Sequence, residues 1–335
     1  MTANPSIEML RLINGYQITQ AIYVAVQLGV ADHLREGSRD SDELARLSGA
    51  HPAALYRLLR ALAAAGVLHE SGERKFSLTP IGDCLRSDSP TPLGPWAAFV
   101  GRPYMWQAWD HLLHSIRTGD NAYTDLNGKS VWQYRVEHPE EGMIFDRAMT
   151  ALSRGTVEAI LQTCDFSKDR LAADIGGGQG RTIAGILTAN PSLRGILFDQ
   201  AHVVAAAGPV LRAAGVENRC EIVGGSFFDS IPEGADVYTM RVVLHDWDDE
   251  EALAILKTCR RATGRGSRLL IIERVIAPPN QGLMGKLSDL NMLVSPGGRE
   301  RTRDEFSRLC KASGFKLTNV TAAGPVLSVI EALPA

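Results

Sequence analysis

The sequence predicts an α/β chain: a doubly wound, mostly parallel sheet with an antiparallel last strand, preceded by an α-helical winged-helix domain. Three observations lead there. From residue 171 onward, short apolar runs alternate with helical patterns, the grammar of a parallel sheet covered on both faces. The first of those runs ends in a glycine loop that opens a helix. The first ninety-odd residues read instead as helix, turn, helix and hairpin. The expected divisions are a winged-helix dimerisation domain over 1–95, a helical bridge over 96–165 and a sheet domain over 166–335.

Size and composition narrow the class. The chain has 335 residues, 45% hydrophobic and 22% charged, with a formal net charge of −3. That is ordinary for a globular protein, and it supplies no overall field for nucleic acid or an anionic membrane. The five cysteines, Cys84, Cys164, Cys220, Cys259 and Cys310, form no CxxC pair. Reduced thiols in a cytoplasmic protein are therefore expected, and no metal site. The opening "MTANPSIEML" has no basic start followed by an apolar core, so no secretory leader is expected. The apolar runs fall short of the roughly 20 residues a membrane span requires.

"INGYQITQAIYVAVQLGVADHL" is apolar on more than one face through Ile18, Ala21, Ile22, Val24, Ala25 and Leu28. Such a helix is buried, and here a subunit interface is the place for it, which predicts a homodimer. In "RDSDELARLSGA", Asp40 and Glu43 have capping-box spacing and Gly49 is placed to stop the helix. "HPAALYRLLRALAAAGVL" follows, with Pro52 in the first turn, Gly66 as the stop and a stripe of Leu55, Leu58, Leu59 and Leu62. "LHESGERKFSLT" alternates around "SGER", a hairpin. A winged helix raises DNA binding, with Arg57 and Arg60 on its reading helix. Residues 1–95 carry nine Arg or Lys against ten Asp or Glu. A DNA reader needs a basic face, so a dimerisation platform is the better reading.

The bridge holds Met105, Trp106, Trp109, Trp132, Phe145 and Met149. Core packing accounts for most of them; some could line an apolar ligand pocket. Beyond it, strands are expected near 171–175, 195–199, 220–223, 236–241 and 268–273. "FKLTNV" and "VLSVIEAL", joined through "TAAGP", read as a closing antiparallel pair.

In "LAADIGGGQGRTIAGIL" the strand ends at Asp174 and Ile175, and Gly176, Gly178 and Gly180 alternate. Residues without Cβ let a backbone turn tightly and a ligand come close. A dinucleotide loop would read GxGxxG, but Arg181 stands at its last glycine position. The acid just before the glycines would oppose a pyrophosphate and suits a ligand bearing an ammonium group. S-adenosylmethionine has one, with a sulfonium and no phosphate. Asp199, ending the second strand, can accept both hydroxyls of a ribose.

Together "DIGGGQG", "FDQ", "VGGSFFDSIPEGADVY", "VLHDWDDEEALAILKTCRRA", "LLIIERVI" and "PGGRERTRDEF" make the sequence resemble the S-adenosylmethionine-dependent small-molecule O-methyltransferases of the caffeate, hydroxyindole and anthracycline type. The likeness covers nearly the whole chain. It implies the Rossmann-like class I methyltransferase fold and a dimerising winged helix. It also implies roles. Asp174, Gly176 and Gly178 would flank the methionine part of the cofactor. Asp199 would hold the ribose, Ser226 and Phe227 the adenosine, and Ser153 the carboxylate. Arg241 would stand near the cofactor, where plant members have a lysine. His245 would be the catalytic base, flanked by Glu273 and Glu300. Met105, Trp106, Phe145, Met149, Asp246 and Met292 would face a hydroxylated aromatic or polyketide-like acceptor. Two departures stand out. Ser226 replaces the aspartate of the plant "GDMF" motif, and "MLVSPGG" is one residue shorter than its plant counterpart, which is closer to the bacterial natural-product branch.

The stretch "MRVVLHDWDDEEALAILKTCRRA" sets His245 just past an apolar run and beside Asp246, Asp248, Asp249 and Glu250. The acids fit the positive end of the following helix, and the imidazole projects at the sheet edge. A phenol has a pKa near 10, so little phenolate exists at neutral pH. A histidine can accept its proton as attack on the sulfonium methyl begins, with an acid fixing its tautomer. The expected activity is O-methyl transfer to a phenolic or enolic hydroxyl. The alternatives are a non-methylating reaction on the same fold and cofactor, and a ligand-sensing winged-helix regulator.

Overall fold

The structure, a computed structural model, describes residues 4–72, 74–153 and 155–335. It divides into two units, Met1–Trp106 with His138–Arg154, and Gln107–Glu137 with Gly155–Ala335.

In the first unit, strand β1 (Arg39–Asp40) and the hairpin of β2 (Leu68–Ser71) and β3 (Lys75–Leu78) form a small sheet in the order β1-β3-β2. Glu73 of the expected "SGER" turn lies outside the described residues. The Ser41–Ser48 helix starts on the Asp40 carboxylate, which accepts the N–H groups of Asp42 (3.0 Å) and Glu43 (2.8 Å). The spacing suggested a reciprocal capping box. Glu43 instead pairs with the Arg39 guanidinium, which β1 places one helical turn before it. Leu44, Leu55, Leu59, Leu62 and Phe76 fill the core, and Leu58 is only half-buried. The Gly15–Gln27 helix leaves much of its apolar surface open within one chain, as the expected subunit interface requires. Within one chain it buries only Ala25, while Ile18 is 41% and Val24 39% exposed. Its apolar surface exceeds what the neighbouring Pro52–Ala64 and Gly94–Val100 helices cover. The Gly94–Val100 and Pro139–Ser153 helices pack together, with Phe99 edge-on to Phe145 at 5.5 Å.

The second unit is built on seven strands: β4 (Leu171–Ile175), β5 (Arg194–Asp199), β6 (Cys220–Gly224), β7 (Val237–Arg241), β8 (Arg268–Glu273), β9 (Phe315–Ala323) and β10 (Leu327–Pro334). Their order is β6-β5-β4-β7-β8-β10-β9. The first five are parallel; β10 runs antiparallel to β8 and β9 antiparallel to β10. β9 is longer than expected. Thr321, Ala322 and Ala323 continue the ladder against Val329, Ser328 and Leu327, leaving the turn to Gly324, whose φ is +75°.

Both faces of the central strands are covered, which is why those strands read as largely apolar runs. Ala173, Ile175, Ile196 and Phe198 meet the Asp249–Ala262 helix through Ala252, Ile255, Leu256 and Cys259. Ala172, Leu197, Val237 and Leu270 meet the Arg181–Ala189 helix on the other face. Strand order reverses between β4 and β7, so a crevice opens beyond their C-terminal ends. The Asp249–Ala262 helix is capped by Asp248, which accepts the Glu251 N–H at 2.8 Å. Asp246 is not one of its starting acids. Trp247 is extended (φ −123°, ψ 149°), which leaves Asp246 in a separate single turn, Leu244–Asp246. Among the described residues, no helix is long and apolar enough to cross a membrane.

Tyr238 ties the sheet to this helix. Its buried hydroxyl donates to the Ala262 carbonyl (2.9 Å), lies 3.1 Å from the Pro232 carbonyl and accepts the Ala235 N–H (3.3 Å). Tyr238→Phe strands these groups, so urea unfolding should show a loss of about 1–3 kcal/mol with the native circular dichroism retained.

Candidate active site

β4 carries Asp174 to the crevice and the chain then turns sharply through the glycines. Gly176 has φ +67°, and a Cβ there would lie 2.7 Å from Val243 Cγ2. The Asp174 side chain is buried at 1% exposure. Its Oδ1 accepts the Thr239 hydroxyl at 2.7 Å from the neighbouring strand β7, whereas Oδ2 has no hydrogen-bond partner among the described residues. Burial pushes this carboxyl up to about 6, against the pull of the Thr239 bond and the Arg241 guanidinium. A buried carboxylate oxygen lacking a donor is costly. An ammonium group is the donor such an oxygen fits.

At the end of β5, Asp199 accepts the N–H groups of Gly178 (2.8 Å) and Gln200 (2.7 Å). Burial raises its pKa while these bonds oppose the shift. The carboxylate is thus aimed across the glycine loop with capacity left for hydroxyl donors. After β6, Ser226 spends its Oγ on the Phe228 N–H (3.2 Å), closing the turn that presents Phe227. Phe227 lies edge-on to Trp247 at 5.9 Å. Arg241, last in β7, donates from Nε to Thr182 (3.0 Å) in the helix after the glycine loop. Asp174, Gly176, Gly178, Asp199, Ser226, Phe227 and Arg241 thus lie at one edge of the sheet. The side chain of Ser153 lies outside the described residues.

His245 stands past β7 and is 5% exposed. Its Nδ1 is 3.1 Å from Glu300 Oε1 and 3.8 Å from Glu273 Oε2, and its Nε2 is 3.5 Å from Asp246 Oδ1. Burial alone would push the imidazole down. The Glu273, Asp246 and Glu300 carboxylates outweigh it and hold the pKa at about 9. Glu300 is buried, yet its bond to His245 and the Ser288 hydroxyl (2.7 Å) keep it below the usual range. Arg274 lies 3.5 Å from the same oxygen. Burial holds Asp246 above the usual range, opposed by His245 and Arg135. Glu273 and Glu300 do different work. Glu273 Oε1 accepts the N–H groups of both Val243 and Leu244, each at 2.9 Å. It therefore grips the backbone of the turn, where Val242 has φ +56°.

Met105, Trp106, Phe145 and Met149 fall in the first unit, and Asp246 and Met292 in the second. Met292 is buried on the Leu283–Val294 helix, which also carries Ser288. Several residues at the histidine turn escaped sequence reasoning. Arg301 is completely buried, donating to the carbonyls of Leu244 (2.8 Å) and Trp247 (3.0 Å) and to Asp249 (2.9 Å). Arg299 N–H bonds the His245 carbonyl at 2.8 Å, and a Cβ on Gly298 would collide with that carbonyl and the backbone of Asp246 and Trp247. In "PGGRER" a charge run disguised a buried clamp. Thr239 did leave a trace: it is a polar residue inside an otherwise apolar strand.

A buried acid beside a glycine loop, at the crevice of a sheet of this order, is the arrangement of a class I methyltransferase that uses S-adenosylmethionine. Comparison with known proteins narrows this. A model of the O-methyltransferase domain matches residues 109–316, and one of the O-methyltransferase dimerisation domain matches residues 10–88. The chain belongs to this family of S-adenosylmethionine-dependent O-methyltransferases. It is 41% identical over 326 residues to the phenazine O-methyltransferase PhzM of Lysobacter antibioticus, covering 97% of this chain and 95% of that protein. It is 39% identical to a mitomycin biosynthesis 6-O-methyltransferase of Streptomyces lavendulae, covering 94% and 91%. Among solved structures, human N-acetylserotonin methyltransferase in complex with S-adenosylmethionine superposes with a TM-score of 0.91 at 26% identity, covering 100% of this chain and 99% of that one.

The histidine cluster makes stability depend on pH in a definite direction. The folded pKa of about 9 lies above the ordinary value of 6.5, so the contribution of His245 is complete below pH 6.5 and is lost as pH rises through 9. In urea unfolding of the ligand-free protein, the stability gap between wild type and His245→Gln should be larger at pH 6 than at pH 9.5, by at most about 3 kcal/mol. A gap that widens at high pH would mean the imidazole is held neutral.

Proposed function

We propose that the enzyme methylates a phenolic or enolic hydroxyl of an apolar small molecule, with His245 as general base, working as a cytoplasmic homodimer. The observation that carries this is the imidazole held between Glu300 at Nδ1 and Asp246 at Nε2, one strand from the Asp174 glycine loop. S-adenosylmethionine, when bound, supplies the methyl group on a sulfonium. Asp174 would hold its ammonium group, Asp199 the ribose, and Ser226 and Phe227 the adenosine side. Gly176, Gly178 and Arg241 would complete the lining.

The three carboxylates suit the proposed base. At an ordinary pKa of 6.5, histidine is a weak acceptor for a phenol proton near 10. Raised to about 9, the imidazole comes close to matching its donor, which favours proton transfer in the transition state. Glu300 fixes the ring through Nδ1, leaving Nε2 to receive the proton beside Asp246. Met292 would provide apolar surface for the acceptor. Relatives named for phenazine and mitomycin chemistry support a hydroxylated polycyclic acceptor from natural-product biosynthesis. The dimerisation-domain match and the exposed Ile7, Leu10, Ile13 and Ile18 support pairing of two chains through residues 1–95. All five cysteines are free, which suits a reducing compartment.

Single-turnover methylation of a phenolic acceptor tests the assignment. His245→Ala should slow the step by about 10²- to 10⁴-fold and leave the affinity for S-adenosylhomocysteine nearly unchanged. Wild-type kcat/KM should climb from pH 6 toward 9 as the imidazole loses its proton, and the variant should lose that limb. Equal rates for the two proteins across the range would remove His245 from the chemistry. Cofactor binding without methyl transfer to any phenol or enol would point to a non-methylating reaction.

A further inference from the structure

We infer that His111, His114 and Asp125 form a binding site for a borderline divalent cation of the zinc type, separate from the proposed active site. The residues lie in the second unit, on two short helices, Leu112–Thr118 with His111 as its N-cap and Ala122–Asn127. The two imidazoles sit three positions apart and stack nearly parallel, 4.8 Å between centroids and 11° between planes. Both direct Nε2 at one carboxylate. His111 Nε2 is 2.8 Å from Asp125 Oδ2, and His114 Nε2 is 3.6 Å from Oδ1. The three potential ligand atoms all lie within 4.8 Å of one another.

Hydrogen bonding does not fully account for this arrangement. The Asp125 bond serves His111, but His114 Nε2 is itself buried and has no hydrogen-bond partner among the described residues. A nitrogen in that position is costly unless something binds its lone pair or its proton. Zinc–nitrogen and zinc–oxygen bonds near 2.1 Å in a tetrahedron set neighbouring ligand atoms about 3.4 Å apart. The observed 2.8 and 3.6 Å, measured to the two oxygens of the one carboxylate, lie either side of that spacing. Asp125 is 45% exposed, so water can complete the coordination and the ion has a path from solvent. Two imidazoles with one carboxylate favour Zn²⁺, Ni²⁺ or Cu²⁺ over Mg²⁺ or Ca²⁺, which take oxygen ligands.

The position gives the ion a structural task. It would join two helices that are otherwise short. Asn121, the N-cap of the second helix, donates its side-chain amide to the carbonyls of Leu293 (2.7 Å) and Ser295 (3.2 Å). Those carbonyls end the Leu283–Val294 helix, whose Ser288 bonds Glu300. An ion at the histidine pair would therefore brace the support behind that helix without touching the reacting groups.

Full-length protein stripped with EDTA and desalted should be titrated with ZnCl₂ by calorimetry. The expected result is one Zn²⁺ per chain whose affinity falls at least the roughly 10- to 100-fold that loss of even an outer partner costs, in both His114→Ala and the near-isosteric Asp125→Asn. His245→Ala should leave that affinity unchanged. Circular dichroism confirms that each variant is folded. Co²⁺ in place of zinc should give visible d–d bands without a thiolate charge-transfer band in the near ultraviolet, and excess Mg²⁺ should not displace it. Absence of zinc uptake, uptake insensitive to both site variants, or a thiolate band would overturn the assignment.

Discussion

Glu273 accepts two consecutive backbone N–H groups, those of Val243 and Leu244, at the end of β8. Everything at the histidine edge of the sheet depends on that grip. The turn it holds contains a β-branched residue at positive φ, a conformation that costs free energy unless its surroundings over-determine it. Arg301 takes the carbonyls of the same turn and Arg299 takes that of His245. A carboxylate thus binds the donors, and the Arg301 guanidinium and the Arg299 backbone N–H bind the acceptors, of one short stretch of main chain. The imidazole inherits its position from this frame, and Glu300 needs only to set its rotation.

The same economy appears in the charges. Three carboxylates around a buried ring would be prohibitive if each were answered only by the ring. Besides the ring, Glu273 is answered by two peptide N–H groups, and Glu300 by the Ser288 hydroxyl and nearby Arg274. Asp246 has Arg135 within electrostatic reach. The cluster is therefore stable without cancelling the excess negative potential at the imidazole, and that excess is what raises its basicity.

Much of this was legible in the chain before folding. The parallel strands, the glycine loop, the winged-helix pattern and the histidine followed by acids all rest on local periodicity, capping or glycine placement, which a sequence displays directly. What escaped were relations between distant segments. Arg301 lies 57 residues from the carbonyl it binds at Leu244, and nothing in "RERTRDEF" separates a buried guanidinium from solvated ones. His111 and Asp125 meet only because two short helices double back. In sequence Asp246 looks like a helix-starting acid because charge near a helix is visible there, whereas the extended Trp247 that detaches it is not.

Asp174 Oδ2 has no hydrogen-bond partner among the described residues, and this bears on the reaction cycle. On the proposed assignment it is relieved by an ammonium group, and methyl transfer leaves that group untouched. The relief is therefore the same for the donor and for its demethylated product. On that assignment the Asp174 anchor would not register whether the methyl has gone. Discrimination falls to the weaker difference between a sulfonium and a thioether near the acceptor. Such an enzyme would hold its spent cofactor well, and its throughput would be governed by how quickly other enzymes clear that product.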